Sequence, residues 1–494
     1  MIFLQLFFEF IFILSQIIVA IFSLHYVFIF YKNLRLLKSN RPFKFSEKEL
    51  TFPNVTFQVP IYNEKHVIKN FIHQIAQINY PIDKFEIQLL DDSTDETYYI
   101  IEEEIKKYSH INFKHIHRTN RSNFKSGALN NGLLSAQGEY IAIFDVDFSP
   151  PRDFLQKTIP ELEQNQKLAF IQTRWGHRNR ESLLTKSIAL SLDNHFLIEQ
   201  PVRKHIGVMN FNGTCGVFRK NAIIDAGYWD GSILAEDLDL SYRLYMKGWS
   251  AEYNEDIICE GEIPNKISSF MQQQYRWAKG TIQGTKKNIS SIIKSQKLNK
   301  SQKLEAIFHH FGYFIQMFIF LNIISTIPLL YYRSSLFDTN FGLIVFFVNL
   351  LASSMYFSTI AKLHLSFVSS IKYIFLLTAL TIGISWKTTI ATFDGLLHKS
   401  GTFTRTPKGI SSNKHIYLNK SRLDFLIELI LILFICEGIY LAVITEKFVA
   451  IFYLAFCLFG LGYVFILTLQ ELLNINLEDN RITELIKSVL NVLN

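Results

Sequence analysis

The sequence predicts an α/β domain built on a mostly parallel sheet and joined to an α-helical transmembrane bundle. Three observations carry that expectation. Long apolar runs bracket a central stretch in which short β-rich segments alternate with helix-length amphipathic ones. The composition, 49% hydrophobic with 45 Phe yet 19% charged, is too apolar for a wholly soluble chain of 494 residues and too polar for an all-membrane one. The basic residues behind the net charge of +7 flank the apolar runs: Lys32, Arg35, Lys38, Arg41 and Lys44 follow the first, and Lys286, Lys287, Lys294, Lys297, Lys300 and Lys303 precede the second. That placement argues for contact with a lipid bilayer and against nucleic acid. Cys215, Cys259, Cys436 and Cys457 have neither CxxC spacing nor a histidine partner pattern, so they imply no disulfide scaffold or zinc site.

Ile2 to Tyr31 are almost continuously apolar and exceed the ~20 residues that cross a bilayer, so 1–31 reads as a transmembrane helix. A cleaved signal peptide is disfavoured: the positive charges follow the run, the run is long, and no small-residue cleavage site succeeds it. From Pro53 to about Glu262 the strand candidates are VTFQVPI, FEIQLLD, INFKHIH, YIAIFDV and LAFIQTR. A parallel sheet of such strands places ligands at their carboxyl ends. Apolar segments recur at Phe311–Tyr332, Phe341–Leu363, Ile371–Ile390, Asp424–Ile444 and Phe448–Gln470. The segment from Ile371 carries Lys372, Trp386 and Lys387, so 371–396 is expected to lie in the interface or re-enter rather than span. The remaining crossings then leave the α/β domain, the 399–420 loop and the C-terminal tail together in the cytoplasm.

The polar motifs fall at strand ends. The first strand runs into QVPIYNE, with Tyr62 and Glu64, and the second into LLDDSTDET, with Asp91, Asp92 and Asp95. A carboxylate there can accept hydrogen bonds from a nucleoside base or ribose, although Asp95 is equally a helix cap. Lys125, in FKSGALNNG, can meet a phosphate or simply face solvent. The fourth strand runs into IFDVDFSP, where Asp145 and Asp147 stand two apart. Carboxylates so close repel without a cation, and hard divalent cations bridge carboxylates to substrate phosphates, so these two are the expected metal ligands. In LAEDLDLSYR, Asp237 shares a helical face with Leu240 and Leu244 while Asp239 points away. Asp237 is thereby nominated as general base toward an acceptor hydroxyl, while acids at a helix N-terminus also stabilise its dipole. QQYRW, Gln273 to Trp277, offers an arginine for a pyrophosphate and a tryptophan face for a sugar ring. Alone it would equally fit an interfacial aromatic beside a snorkelling arginine.

Taken together, DDS, FDVD, AEDLD and QQYRW resemble the D, DxD, D, QxxRW signature of the processive family 2 glycosyltransferases, the cellulose synthase-like superfamily. The resemblance covers nearly the whole chain. QTRW (Gln172 to Trp175), FNGTCG (Phe211 to Gly216) and Arg405 look more like its mannan and glucomannan synthase branch than like the cellulose synthases. It implies a nucleotide-sugar-binding GT-A domain over 32–270 on the cytoplasmic side, amphipathic interfacial helices with the QxxRW motif over 271–308, a transmembrane region over 309–470, and a C-terminal cytoplasmic tail over 471–494. It further implies Tyr62, Glu64, Asp92, Lys125, Asp145 and Arg276 at the donor nucleotide, and Asp145 and Asp147 at a Mg2+ or Mn2+ ion. Asp237 would be the catalytic base, with Gln273, Trp277, Asn212, Gly213, Thr214 and Glu236 at the acceptor. FTRTPKG, with Phe403, Arg405, Thr406 and Lys408, looks like the gating loop that closes over the nucleotide.

The activity so implied is that of a processive, inverting β-glycosyltransferase, a hexosyltransferase that polymerises a β-1,4-linked mannan, glucomannan or glucan. Its donor would be GDP-mannose or UDP-glucose, its acceptor the growing β-glycan, and its setting a multi-pass position in a bacterial inner or plasma membrane type of bilayer. Gln316, Asn322, Asn349 and Glu437 are the polar candidates for a glycan path through the helices. A single-transfer lipid glycosyltransferase of the ceramide type carries much of the same signature, and a non-catalytic subunit of a polysaccharide-secretion complex is a further alternative. A transporter or binding-only membrane protein is disfavoured by the full set of acids.

Overall fold

A computed structural model of the protein describes residues 2–38, 52–337, 351, 353–398 and 414–476. Seven strands form its sheet: β1 (Val55–Ile61), β2 (Phe85–Asp91), β3 (Phe113–His117), β4 (Tyr140–Ile143), β5 (Leu168–His177), β6 (Gly216–Arg219) and β7 (Ser250–Gly261), in the order β3-β2-β1-β4-β6-β5-β7. β1 and β2 coincide with the expected runs. β6 and β7 were not expected. The four residues of β6 are too few to display a period, and β7 pairs with β5 through register shifts and carries Glu252, Glu255, Asp256 and Glu260, which break any apolar alternation. β6 is antiparallel to both β4 and β5, while the other pairings are parallel, so the sheet is mostly parallel as expected.

β1 pairs with β2 on one side and β4 on the other, so the chain reverses its direction of sheet growth at β1. The carboxyl ends of β1 and β4 therefore flank a crevice, the position where open α/β sheets hold ligands. Tyr62 and Glu64 follow the first of these strands, and Asp145 and Asp147 the second.

The helices are α1 (Ile2–Lys38), α2 (Ile68–Ile75), α3 (Thr97–Ile105), α4 (Phe124–Ser135), α5 (Phe154–Gln164), α6 (Leu183–Asn194), α7 (Gln200–Ile206), α8 (Lys220–Asp225), α9 (Glu236–Lys247), α10 (Ile267–Lys294) and α11 (Lys300–His310). On one face of the sheet, Phe71 and Ile72 of α2 and Phe154 and Ile159 of α5 close a core over Phe57 and Ile87. On the other, Leu129 and Leu133 of α4 and Leu240 and Leu244 of α9 pack on Ile141, Phe170 and Phe218. Burial of this apolar area, at about 25 cal/mol per Å², is what fixes α9 and its N-terminal acids against the sheet.

Beyond α11 come α12 (Phe314–Tyr331), α13 (Ser354–Lys362), α14 (Phe367–Leu397), α15 (Lys414–Ile444) and α16 (Phe448–Asn476). Among the described residues, four helices are long and apolar enough to cross a membrane, within Ile2–Leu36, Phe314–Tyr331, Ser421–Ile444 and Phe448–Leu473. A fifth is reached if the halves of α14, Phe367–Gly383 and Ser385–Leu397, bent by 49°, count as one span. The segment expected at 371–396 is most of this bent helix. At the bend the Ser385 hydroxyl donates back to the Ile382 carbonyl at 2.7 Å, a bond of the type that bends helices. Of the apolar run Phe341–Leu363, residues 341–350 and 352 lie outside the described residues, and the end is the short α13.

Candidate active site

The loops after β1 and β2 are stitched together. Asn63, in the left-handed region at φ 55°, donates its backbone N–H to Ser93 Oγ at 2.9 Å, and its side-chain oxygen accepts the Thr94 N–H at 2.9 Å. Asp92 is clamped by Arg118, whose Nε and Nη2 donate to its two carboxylate oxygens at 2.7 and 2.5 Å. The Arg121 guanidinium lies 3.4 Å from the centre of the Tyr62 ring. Asp95, by contrast, accepts the N–H of Thr97, two residues on, at 3.0 Å where α3 begins. Arg118 and Arg121 were absent from the sequence reading. Their only signal was two basic residues between a strand end and Lys125.

Lys125 stands at the centre of the site. Its Nζ donates to Asp145 Oδ1 at 2.6 Å and to the Gly213 carbonyl at 2.8 Å. Burial works against its charge, yet Asp145, Glu236 and Asp237 together hold its pKa above the usual lysine value. Gly213 has φ 83°, and a Cβ there would sit 3.1 Å from Asp237 Oδ2, so a side chain would be strained and pressed onto the acid. Gln172, fully buried on β5, holds this loop by accepting the Asn212 N–H at 2.9 Å and donating to the Thr214 carbonyl at 3.1 Å.

The acids at the head of α9 share the enclosure. Burial, then the neighbouring Asp237, pushes the Glu236 carboxyl up to about 7. Burial also raises Asp237, against the opposing pull of the Leu238 N–H, which donates to it at 2.8 Å, and of Lys125. α10 reaches these acids because Gly280 lets it lie on the segment leading into α9: a Cβ there would come within 2.9 Å of the Ala235 nitrogen. Gln273, Arg276 and Trp277 consequently face the acids, whereas Tyr275, on the opposite side of α10, donates to Asp394 of α14 at 2.5 Å. Burial lowers the Arg276 pKa while Glu236, Asp145, Asp237 and Asp147 oppose that fall.

Tyr62, Glu64, Asp92, Lys125, Asp145, Asp147, Asn212, Gly213, Glu236, Asp237, Gln273, Arg276 and Trp277 all line one cavity of about 1490 Å³. Thr214 does not. It is buried beneath the floor, where its Oγ1 accepts the Asp145 N–H at 2.9 Å, so its position corrects the expectation of acceptor contact. Phe403, Arg405, Thr406 and Lys408 lie outside the described residues. The cavity continues from the sheet into the helices, where Gln16, Ser23, Gln316 and Asn322 line it. Glu437, expected to share that path, is instead on the exposed side of α15, because Ile435, Gly438 and Ala442 take the inward positions. Asn349 lies outside the described residues.

A buried polar chain missed in the sequence joins α1 to the loop of Asn212 and Gly213. His25 and Glu305 are 2.9 Å apart, Arg203 donates to Glu305 at 3.1 Å and pairs with Glu199 at 3.1 Å, and His195 Nε2 meets Asn212 Oδ1 at 2.9 Å. Burial alone would raise Glu199, but Arg203 and His195 hold it down at about 2. His195 and Glu199 begin and end a turn of π-helix between α6 and α7, a distortion common at functional sites.

For a divalent cation the site offers Asp145 and Asp147, both partly open to the cavity. Asp145 Oδ1 is engaged by Lys125, so the pair presents hard oxygens beside two cations, a donor set that suits Mg2+ or Mn2+ shared with diphosphate oxygens.

A family model described as "Glycosyl transferase family group 2" matches residues 140–386. Glucomannan 4-beta-mannosyltransferase 1 of Oryza sativa subsp. japonica is 36% identical over 271 residues, 53% of this chain and 51% of that protein. Glucomannan 4-beta-mannosyltransferase 2 of Arabidopsis thaliana is 37% identical over 268 residues, 53% of this chain and 50% of that protein. The chain thus spans about half the length of the curated relatives it matches. Among solved structures, the mannosyltransferase PcManGT from Pyrobaculum calidifontis, in complex with GDP-Man and Mn2+, aligns with a TM-score of 0.52 at 20% identity, over 79% of this chain and 99% of that one, a likeness of fold.

Proposed function

The chain belongs to glycosyl transferase family group 2, and from that membership we propose that it is an inverting, processive β-1,4-mannosyltransferase that passes its product between its own helices. The observation that carries this reading is the single cavity on which Asp145, Asp147, Asp237, Arg276 and Trp277 meet and which runs on into the apolar helices. The curated relatives named as glucomannan 4-beta-mannosyltransferases favour a mannosyl donor over a glucosyl one.

In the proposed reaction the donor base and ribose lie by Tyr62, Glu64 and Asp92, with Arg118 fixing the last. Asp237 takes the proton from an acceptor hydroxyl as that oxygen attacks the anomeric carbon. The bond from that carbon to the diphosphate breaks on the opposite face, its electron pair leaves with the diphosphate, and the α-linked donor gives a β linkage. Lys125 and Arg276 stabilise the charge on the departing diphosphate, and such preorganised contacts are usually a large part of the rate enhancement. Asp145 and Asp147 would hold Mg2+ or Mn2+, which supplies further charge neutralisation at the diphosphate when bound. The raised pKa of Asp237 makes its carboxylate a stronger base than an ordinary aspartate. Gln273, Trp277, Asn212, Gly213 and Glu236 form the acceptor side, and Trp277 offers the flat face on which a terminal sugar stacks.

Processivity draws its support from the far end of the cavity. There Gln16, Ser23, Gln316 and Asn322 place amide and hydroxyl side chains along the lining among apolar ones. Polar side chains within a membrane region commonly mark a substrate path. We propose residues 32–270 as the catalytic domain on the cytoplasmic face and 309–470 as the membrane region, on the ground that basic residues flank the apolar runs on the side of that domain. The test is to incubate purified protein in lipid with labelled GDP-mannose or UDP-glucose and Mg2+ or Mn2+. A polymer from GDP-mannose that β-1,4-mannanase degrades is expected. A product of one sugar on lipid would replace this reading with the single-transfer alternative.

A further inference from the structure

Outside the cavity, at the carboxyl ends of β2 and β3, three metal-binding side chains converge. In the parallel register of these strands Asp91 stands opposite His117, and Leu89 opposite His115. Because strand side chains alternate, His115 and His117 share a face with Asp91. His115 Nε2 and His117 Nδ1 each lie 3.1 Å from the same oxygen, Asp91 Oδ2, and the three atoms are all within 4.8 Å of one another. The other Asp91 oxygen accepts the Ser93 N–H at 2.9 Å, which fixes the carboxylate so that Oδ2 points at the two rings.

We propose that Asp91, His115 and His117 form a binding site for a zinc-class divalent ion, separate from the Asp145 and Asp147 pair. Two imidazoles and a carboxylate are a zinc ligand set, whereas the hard Mg2+ ion prefers oxygen alone. Ligands about 2.0–2.1 Å from a tetrahedral ion stand about 3.3 Å apart, close to the two spacings here. The surroundings are those of a built site. Glu102 of α3 lies 2.5 Å from His115 Nδ1, the carboxylate–histidine arrangement that turns the other ring nitrogen toward a metal. Tyr98, also of α3, packs its ring 4.9 Å from His115 and 5.0 Å from His117. Asp91 is fully buried, while the His117 side chain, at 30% exposure, leaves a route for the ion and a fourth, water-held position. The site adjoins the donor edge of the cavity: the Asp91 carbonyl accepts the N–H of Arg118, the residue that clamps Asp92. An ion there would tie β2 to β3 beneath that clamp.

The full chain, purified in detergent, stripped with a chelator and re-equilibrated with Zn2+, should retain about one zinc per chain by elemental analysis. Asp147→Asn should retain the same amount. His117→Ala, at a partly exposed position, should fold with the wild-type Tm in chelator, retain no zinc, and lose the rise in Tm that zinc gives the wild type. Glu102→Gln should keep the site but weaken zinc affinity about 10- to 100-fold. Equal zinc content in the wild type and His117→Ala would overturn the proposal, as would a stripped wild type that neither retains zinc nor gains Tm from it.

Discussion

The two ends of the cavity are built on opposite principles. At the sheet end acids are paired with cations: Asp92 with Arg118 and Asp145 with Lys125, which also donates to the Gly213 carbonyl. At the helix end the lining adds, besides His25, Glu199 and Arg203, the neutral amides and hydroxyls Gln16, Ser23, Gln316 and Asn322, set among Phe12, Ile319, Phe375 and Phe456. A charged group in low dielectric is coupled strongly to its neighbours, so the sheet end is rigid and chemically specific. Isolated amides would hold a passing hydroxyl only weakly, as the proposed glycan path requires.

That contrast orders the expected effects of substitution. Asp237→Asn removes the base at the charged end, and polymer synthesis should fall on the order of 10³-fold while nucleotide binding, read by calorimetry, survives. Because burial raises Asp237 above the usual aspartate value, the acid limb of the wild-type pH–rate profile should lie above that value too, with activity lost as pH falls and the carboxylate takes up its proton. Turnover like that of the wild type in Asp237→Asn would strip the residue of its role. Arg276→Ala should cost about 10²-fold in kcat with a smaller effect on acceptor KM, since its charge matters most as the diphosphate departs.

At the helix end, Asn322→Leu should lower polymer yield only about 3- to 10-fold, in line with the modest worth of hydrogen bonds between buried helices, and leave nucleotide KM unchanged. A loss as large as that of Asp237→Asn would abolish the distinction between the two ends. The smallest effect is on stability. Glu236 moves from 4.5 to about 7 on folding, so the folded state keeps this proton and loses stability as pH rises through 7. Glu236→Gln should therefore leave Tm nearly unchanged at pH 5 and raise it at pH 8, by of order 1 kcal/mol or about 2–4 °C, in thermal melts run with a chelator. An equal gain at both values would mean that titration is not the cause.

Legibility in the sequence followed the range of the interactions involved. β1 and β2 were readable because VTFQVPI and FEIQLLD alternate β-favouring apolar residues with polar ones and are bounded by turn residues. β6 was not, since four residues become a strand only when β4 and β5 stand on either side of them. Asp237 was readable from its position at the head of an amphipathic helix. Arg118 was not, because only the pairing of β2 with β3 brings it to Asp92. Glu437 misled for a related reason: an acid in an apolar run says that something must accommodate it, but not which side of the helix faces the cavity.

Local residue chemistry determined that this chain holds a mostly parallel α/β sheet with acids at its strand ends and that several of its segments are apolar enough for a bilayer, while the meaning of the order of those acids came from the resemblance to a glycosyltransferase signature. Those properties depend on neighbours within a few positions, so no fold was needed to read them. The tertiary structure decided that Gly213 presses against Asp237, that Thr214 sits under Asp145 rather than on the acceptor, and that α10 turns Trp277 inward at Gly280. Each of these is a contact between residues far apart in the chain, set by strand order and helix packing, which no local period encodes.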